Sequence, residues 1–337
     1  MGTDNLPVEM DRAPEKMLMH ETQTYSEIQL NGYDPTRTTS LRNAFTREVR
    51  KRYKSLARTV RIAIVEMDCF GLQPSQYAEL FPPGRRSFAF TRTSDKVEAF
   101  MEWLRVQEER GILETRTIQR VGESIEAAWT NRFIYDSYKR GVMRARSEMR
   151  ARGYEVPTIE QSGGLEAVMG APFHVDTVGV LFTRAFSELR NITQAMDTVI
   201  SQVLSQGLVD GDNPRLVAQK LDALITGRGL GSLGMDISYI SPRTGKLVTY
   251  WRPSMVRAET MARTEMIRAH HMANFREYEN WSVEGVQIMA EWSTAGDDRV
   301  CAECAGLHGN VFSLQEIQHM IPRHPNCRCI ALPVEKK

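Results

Sequence analysis

Four of the five cysteines in this 337-residue chain, Cys301, Cys304, Cys327 and Cys329, fall between positions 301 and 329. Cys301-x-x-Cys304 sets two thiols on one tight turn, the usual half of a tetrahedral zinc site. The run His324-Pro-Asn-Cys327-Arg-Cys329 follows. If CRCIAL enters a strand, period-two alternation turns Cys327 and Cys329 to one face, so both reach the same metal. His324 is the alternative ligand, giving a Cys3His set if one of that pair turns away. The spacing therefore predicts a small α+β knot over residues 291–333 around one structural Zn2+. So short a segment carries few bulky apolar side chains, and a metal supplies the fixed geometry that a thin core cannot. Four such ligands leave no open coordination position, so the ion would hold shape and not activate water.

The expected redox state agrees. The N-terminal MGTDNLPVEMDRAPEKMLMHETQ lacks a basic segment followed by an apolar run, the mark of a signal peptide. A reducing compartment is expected, where clustered cysteines read as metal ligands before disulfides. Cys69, alone in IAIVEMDCF, reads as an inert buried thiol.

The rest of the chain reads as mainly α-helical. Its 42% hydrophobic and 25% charged residues suffice for a core, and its net charge of +1 leaves any electrostatic role to local clusters. No apolar run is long enough to span a membrane. Residues 1–23 lack an apolar period and are expected to form a flexible arm, followed by a helical N-terminal domain over 24–155. Thr and Ser caps in DPTRTTSL precede a helix over 41–68, with Phe45, Val49, Leu56, Val60 and Ile64 along one face. Gly- and Pro-rich loops (GLQPSQ, FPPGRR) lead to a second helix from Ser94, with Phe100, Trp103 and Leu104 inward. A third is expected over 124–152, tolerating Gly141 at some cost. Paired glycines and prolines mark 156–172 as a linker. The second half, 173–337, is expected to hold helices near 174–190, 193–207 and 213–226. A hairpin around Pro-Arg-Thr-Gly, a long helix from Ser254 and a strand in VQIMAEWST follow.

The C-terminal residues EWSTAGDDRVCAECAGLHGNVFS and HPNCRC resemble the phage head morphogenesis family, the Mu F-like minor head proteins of tailed bacteriophages. That pattern is an Asp-rich turn, CxxC, a Gly-bearing turn and HPxCRC, and here it includes Asp297 and Asp298. The likeness extends to ARTEMIRAH at 262–270 and more weakly through FTRAFSELRNI and GLVDGDNPRLVAQKL. DPTRTTSLRNAFTREVRKRY and KVEAFMEWL are similar to longer members. The resemblance implies a virion protein present in a few copies at the portal vertex or head interior. It implies action in head assembly, DNA packaging or genome ejection, portal and other head proteins as partners, possible contact with packaged DNA, and no enzymatic activity.

Three other features set expectations. Arg47, Arg50, Lys51, Lys54, Arg58 and Arg61 form a basic stripe on the helix over 41–68, a surface for nucleic acid or for the portal, and the basis of an alternative reading as a DNA-binding adaptor. Arg263 and Glu265 read as a buried ion pair that fixes packing. His308, His319 and His324 raise a rival, a zinc-supported HNH-like nuclease, which would need a His base beside a catalytic divalent ion. No Walker-type loop, GxSxG or strand-linked GxGxxG is present, so ATP-driven packaging belongs to another protein.

Overall fold

The computed structural model describes residues 34–73, 86–120, 123–233, 238–241, 244–283 and 288–335; the arm expected over 1–23 lies outside them. The first helix, α1 (Thr39–Arg61), buries Phe45, Val49, Tyr53, Leu56 and Val60 at helical spacing. Its entry differs from expectation, because no Thr or Ser side chain caps it. Asp34 does that work: its carboxylate accepts from the backbone N–H groups of Thr36 and Thr38 and from the Thr39 hydroxyl, and pairs with Arg42 at 2.6 Å. Burial opposes ionisation of Asp34, but Arg42 and the two threonines outweigh it and hold the carboxyl below its usual range. The α-helical winding also stops before 68. From Ile62 to Glu66 the backbone widens into a π turn, with Met67 N–H bonded to Ile62 O.

Helix α2 (Thr93–Gly111) follows, burying Val97, Phe100 and Leu104. The stretch expected to begin a third helix at 124 is instead half of a hairpin, β1 (Thr115–Arg120) and β2 (Glu123–Ala128), with Ile118 opposite Ile125. Thr115, Thr117 and Ile118 are β-branched, which favours the pleated backbone over the helix. Helix α3 (Asn131–Ala151) begins only after Thr130.

The segment after α3 holds the short α4 (Leu165–Met169) and then α5 (Pro172–Val209), one unbroken helix of 38 residues where two were expected. No Gly or Pro lies between 190 and 193, and the buried row Leu181, Ala185, Leu189, Ile192, Met196, Val199 runs through the supposed break. Helix α6 (Pro214–Thr226) matches expectation at both ends: Asn213 accepts from Leu216 N–H, Pro214 opens the first turn, and Gly227 closes it at φ 86°. A two-residue pair, β3 (Tyr239–Ile240) with β4 (Leu247–Val248), makes the expected hairpin.

Helix α7 (Ser254–Val283) is the axis of the molecule, packed by α3, α5 and α1. Gly141 explains how close α3 lies. A Cβ there would come within 2.5 Å of the His270 carbonyl oxygen and 2.6 Å of Ala273 Cβ. One apolar cluster draws residues from both sides of 156–172, including Phe45, Phe100, Tyr138, Leu189, Leu221 and Met266, so the halves share a core.

Beyond α7 the chain builds a three-stranded antiparallel sheet in the order β6-β5-β7. Its members are β5 (Ile288–Ser293), β6 (Val311–Phe312) and β7 (Ile330–Glu335), with the short helices α8 (Ala302–Leu307) and α9 (Leu314–Ile317) between β5 and β7. Trp292 on the central strand is fully buried, in a second cluster with Ile267 of α7, Ile321 and three of the cysteines. The expected class, mainly α with a small α+β end, is what forms.

Candidate metal centre

Cys301 sits at the N-cap of α8 in extended conformation, and its sulfur accepts from Cys304 N–H at 3.4 Å. That bond, at a helix start, favours the thiolate and lowers the Cys301 pKa. Cys304 is one turn on and buried. The second half of the site arrives on the loop before β7. His324, Pro325 and Asn326 make a turn closed by Cys327 N–H to His324 O at 3.1 Å, with Asn326 at φ 61°, a conformation Asn tolerates better than most residues.

His324 Nε2 lies 3.3 Å from Cys301 Sγ and 3.2 Å from Cys304 Sγ. Its Nδ1 is 2.9 Å from Pro325 O. A proton on Nδ1 donated to that carbonyl leaves Nε2 as a lone-pair donor aimed at both sulfurs, the arrangement a ligating histidine uses. Two triads result, Cys301–Cys304–His324 and Cys304–Cys327–Cys329, with the donor atoms of each within 4.8 Å of one another. Cys304 belongs to both. A tetrahedral zinc with bonds of about 2.3 Å to sulfur sets its sulfurs about 3.8 Å apart, so the donors stand at the right scale.

A cavity of about 20 Å3, the size of one water or one ion, is lined by Cys301, Cys304, His324 and Cys329. Ionisation is uneven across the thiols. A hydrogen bond from the Cys329 side chain draws the Cys327 pKa down to about 5, while burial and the neighbouring Cys327 push Cys304 up to about 12. Cys329 is pushed up as well, first by its hydrogen bond with Cys327 and then by burial. Burial works against protonated His324, but the Pro325 carbonyl and the nearby thiols raise its pKa. Crowded sulfurs that cannot all ionise alone can do so around a divalent ion.

The Asp-rich turn has a mechanical role. Arg328, between the two cysteines of the CxC, grips Asp297 through two bonds of 2.7 and 2.5 Å. Arg299 adds a third contact at 2.9 Å. The Arg328 guanidinium, followed by Arg299, holds the Asp297 carboxyl well below the usual carboxylate range. Asp297 thereby ties the turn before α8 to the strand entry carrying Cys327 and Cys329.

Other candidates are dispersed. His308 Nδ1 accepts from Thr294 N–H at 3.2 Å, and neither His308 nor His319 joins a Cys/His/carboxylate group among the described residues. Arg263 and Glu265 do not pair. Two positions apart on a helix they point in different directions, so Arg263 reaches Glu259 at 3.4 Å while Glu265 takes Arg184 and Arg268. All six cations of the basic stripe are exposed. Arg50, however, is committed to Glu259 at 2.5 and 3.0 Å. Lys54, Arg58 and Arg61 open with Arg228 onto a cavity of about 270 Å3 that also holds Asp222.

The sequence reading missed a buried polar network. Tyr138 OH meets His174 Nδ1 at 2.8 Å, His174 Nε2 meets Glu277 Oε1 at 2.9 Å, and Arg146 and the Trp281 indole N–H donate to Glu277 Oε2. Glu277 stands among Arg276, Glu279 and Asn280, so nothing local in the sequence marked it as the buried carboxylate.

Residues 198–332 match the family model described as phage Mu protein F like protein. The match takes in the later turns of α5, all of α6 and α7, and the whole Cys/His cluster. That segment, less than half of the chain, is similar to the phage Mu protein F like family. No curated protein and no solved structure matches the chain. No helix among the described residues is long and apolar enough to cross a membrane.

Proposed function

We propose that this is a minor head protein of the virion that associates with the portal vertex, acts in head assembly, DNA packaging or genome delivery, and is not an enzyme. The observation that carries this reading is the position of the Cys/His cluster, inside the segment that matches the family and between α7 and the terminal sheet. In this reading one zinc ion is held by Cys301, Cys304 and His324 with a fourth ligand from Cys327 or Cys329. Bound there, zinc supplies rigidity: a closed set of ligands pins α8 and the loop before β7 against α7. Arg328 and Asp297 align the two halves of the ligand set. The part over 24–155 and the part over 173–337, joined by 156–172, act as one body through their shared core. The exposed cations Arg47, Lys51, Lys54, Arg58 and Arg61 offer the surface for the portal or for packaged DNA.

Two measurements test this. Purified phage heads probed with antibody against the chain should contain it in low copy, and it should co-purify with the portal protein from a lysate. Its absence from heads, with free protein in the lysate, would refute the assignment. Metal analysis of the purified chain should give one zinc per molecule. Cys304→Ser should abolish binding, and only one of Cys327→Ser and Cys329→Ser should do so, which identifies the fourth ligand.

A further inference from the structure

The Ala-Arg-Thr-Glu of α7 and the His-Pro-Asn-Cys loop meet at one groove. Asn326 N–H donates to Thr264 Oγ1 at 3.0 Å, which seats the loop on the helix. The groove beside this junction has a volume of about 540 Å3. Its walls are α5, α7, the β3–β4 hairpin with the segment 249–253 that leaves it, and the loop 322–325.

Its charge is lopsided. Five arginines, Arg184, Arg252, Arg257, Arg268 and Arg323, face two glutamates. Glu265, buried on the floor, is neutralised by Arg184 at 3.1 Å and Arg268 at 3.2 Å. Arg252 and Arg257 have no carboxylate partner among the described residues. Arg257 Nη1 is buried with no hydrogen-bond acceptor, while its guanidinium lies 5.6 Å from the Trp251 ring centre. A buried donor left unpaired costs free energy, and a ligand made only of acceptors, such as a phosphate, would remove that cost. Tyr250, 77% exposed, stands at the same groove as an aromatic face free to stack. The volume lies in the range of small-ligand sites and takes about two nucleotides.

We propose that this groove binds the phosphodiester of a single DNA strand or strand end, with Arg252 and Arg257 on the phosphate and Tyr250 against a base. Only the choice of DNA as the source of the phosphate rests on the head-protein reading.

The test uses the purified full chain and fluorescence anisotropy with a labelled oligodeoxythymidylate of about eight nucleotides. Binding should weaken with salt, and replacing Arg252 and Arg257 by Ala should weaken it about tenfold and lower the log–log salt slope by about one per cation removed. Tyr250→Ala should weaken the oligonucleotide while leaving competition by inorganic phosphate unchanged. Arg150→Ala, on the exposed face of α3 outside both basic surfaces, should have no effect, and the α1 pair Lys54→Ala with Arg58→Ala separates binding at the basic stripe from binding in the groove. Should Arg257→Ala fail to fold, Arg252→Glu on the exposed segment before α7 gives the same readout. No binding, or binding lost only with the α1 pair, overturns the proposal. Thymidine monophosphate competing as tightly as the oligonucleotide would make the ligand a free nucleotide, and equal competition by polyglutamate would make it an acidic protein segment; either overturns the DNA assignment. Binding that persists in a protein absent from phage heads would sink the head reading and leave the groove standing.

Discussion

Replacing Gly141 by Ala separates helix propensity from tertiary packing because the two predict opposite signs. In an isolated helix, Gly→Ala stabilises by about 1 kcal/mol. Gly141 lies inside α3, and a new Cβ would sit 2.5 Å from the His270 carbonyl oxygen and 2.6 Å from Ala273 Cβ. Both neighbours are fixed on α7, one of them backbone, so no side-chain rotation relieves the overlap. The two helices must part along the largest interface of the fold. Overpacking of this kind costs about 1–3 kcal/mol, and a backbone obstacle puts the change toward the upper end. The net expectation is destabilisation of about 1–2 kcal/mol after the propensity gain. Gly179 in α5 is the matched control: it is exposed, and a Cβ there meets nothing within 4 Å. Gly179→Ala should therefore stabilise by up to about 1 kcal/mol. Urea unfolding followed by circular dichroism reads both. A Gly141→Ala protein with a midpoint at or above wild type would refute the close approach of α3 to α7.

Glu277→Ala should cost about 3–5 kcal/mol, because Arg146 and His174 lose the carboxylate that compensates them in a buried site; a thermal shift within error of wild type would contradict that network. Burial lowers the His271 pKa to about 4, from an unfolded value near 6.5. The unfolded chain then takes up protons first as pH falls, so the contribution of neutral His271 is full above about 6.5 and declines toward about 4. Relative to His271→Gln, wild type should lose stability steadily from pH 7 to pH 4.5 in urea titrations, and parallel curves would disprove the shift. Chelation should expose the region from 295 to 329 to limited proteolysis before α5 or α7 is cut, and the same order should follow Asp297→Asn more mildly; a cleavage pattern indifferent to chelator would argue that the cluster does not hold the knot together.

Much of this was legible in residues alone. The helical spacing in α1, the span of α6 near 213–226, the long helix from Ser254 and the Pro-Arg-Thr-Gly hairpin are local signals, and each appears where expected. The strand over 123–128 and the single helix over 172–209 were misread from the same local information. In the first case cross-strand pairing decided for the strand; in the second, a continuous buried face carried one helix through 190–193.

Sequence by itself determined which side chains could chelate, because CxxC and HPNCRC bring their own turns, and short-range geometry fixes donors a few residues apart. Only the tertiary structure decided that His324 faces both sulfurs of the first pair, that Arg328 clamps Asp297, that Glu265 serves Arg184 and not Arg263, and that an arginine-lined groove lies between α5 and α7. Those relations join residues many positions apart, and the packing of α3, α5 and α1 around α7 sets their distances, which no local period encodes.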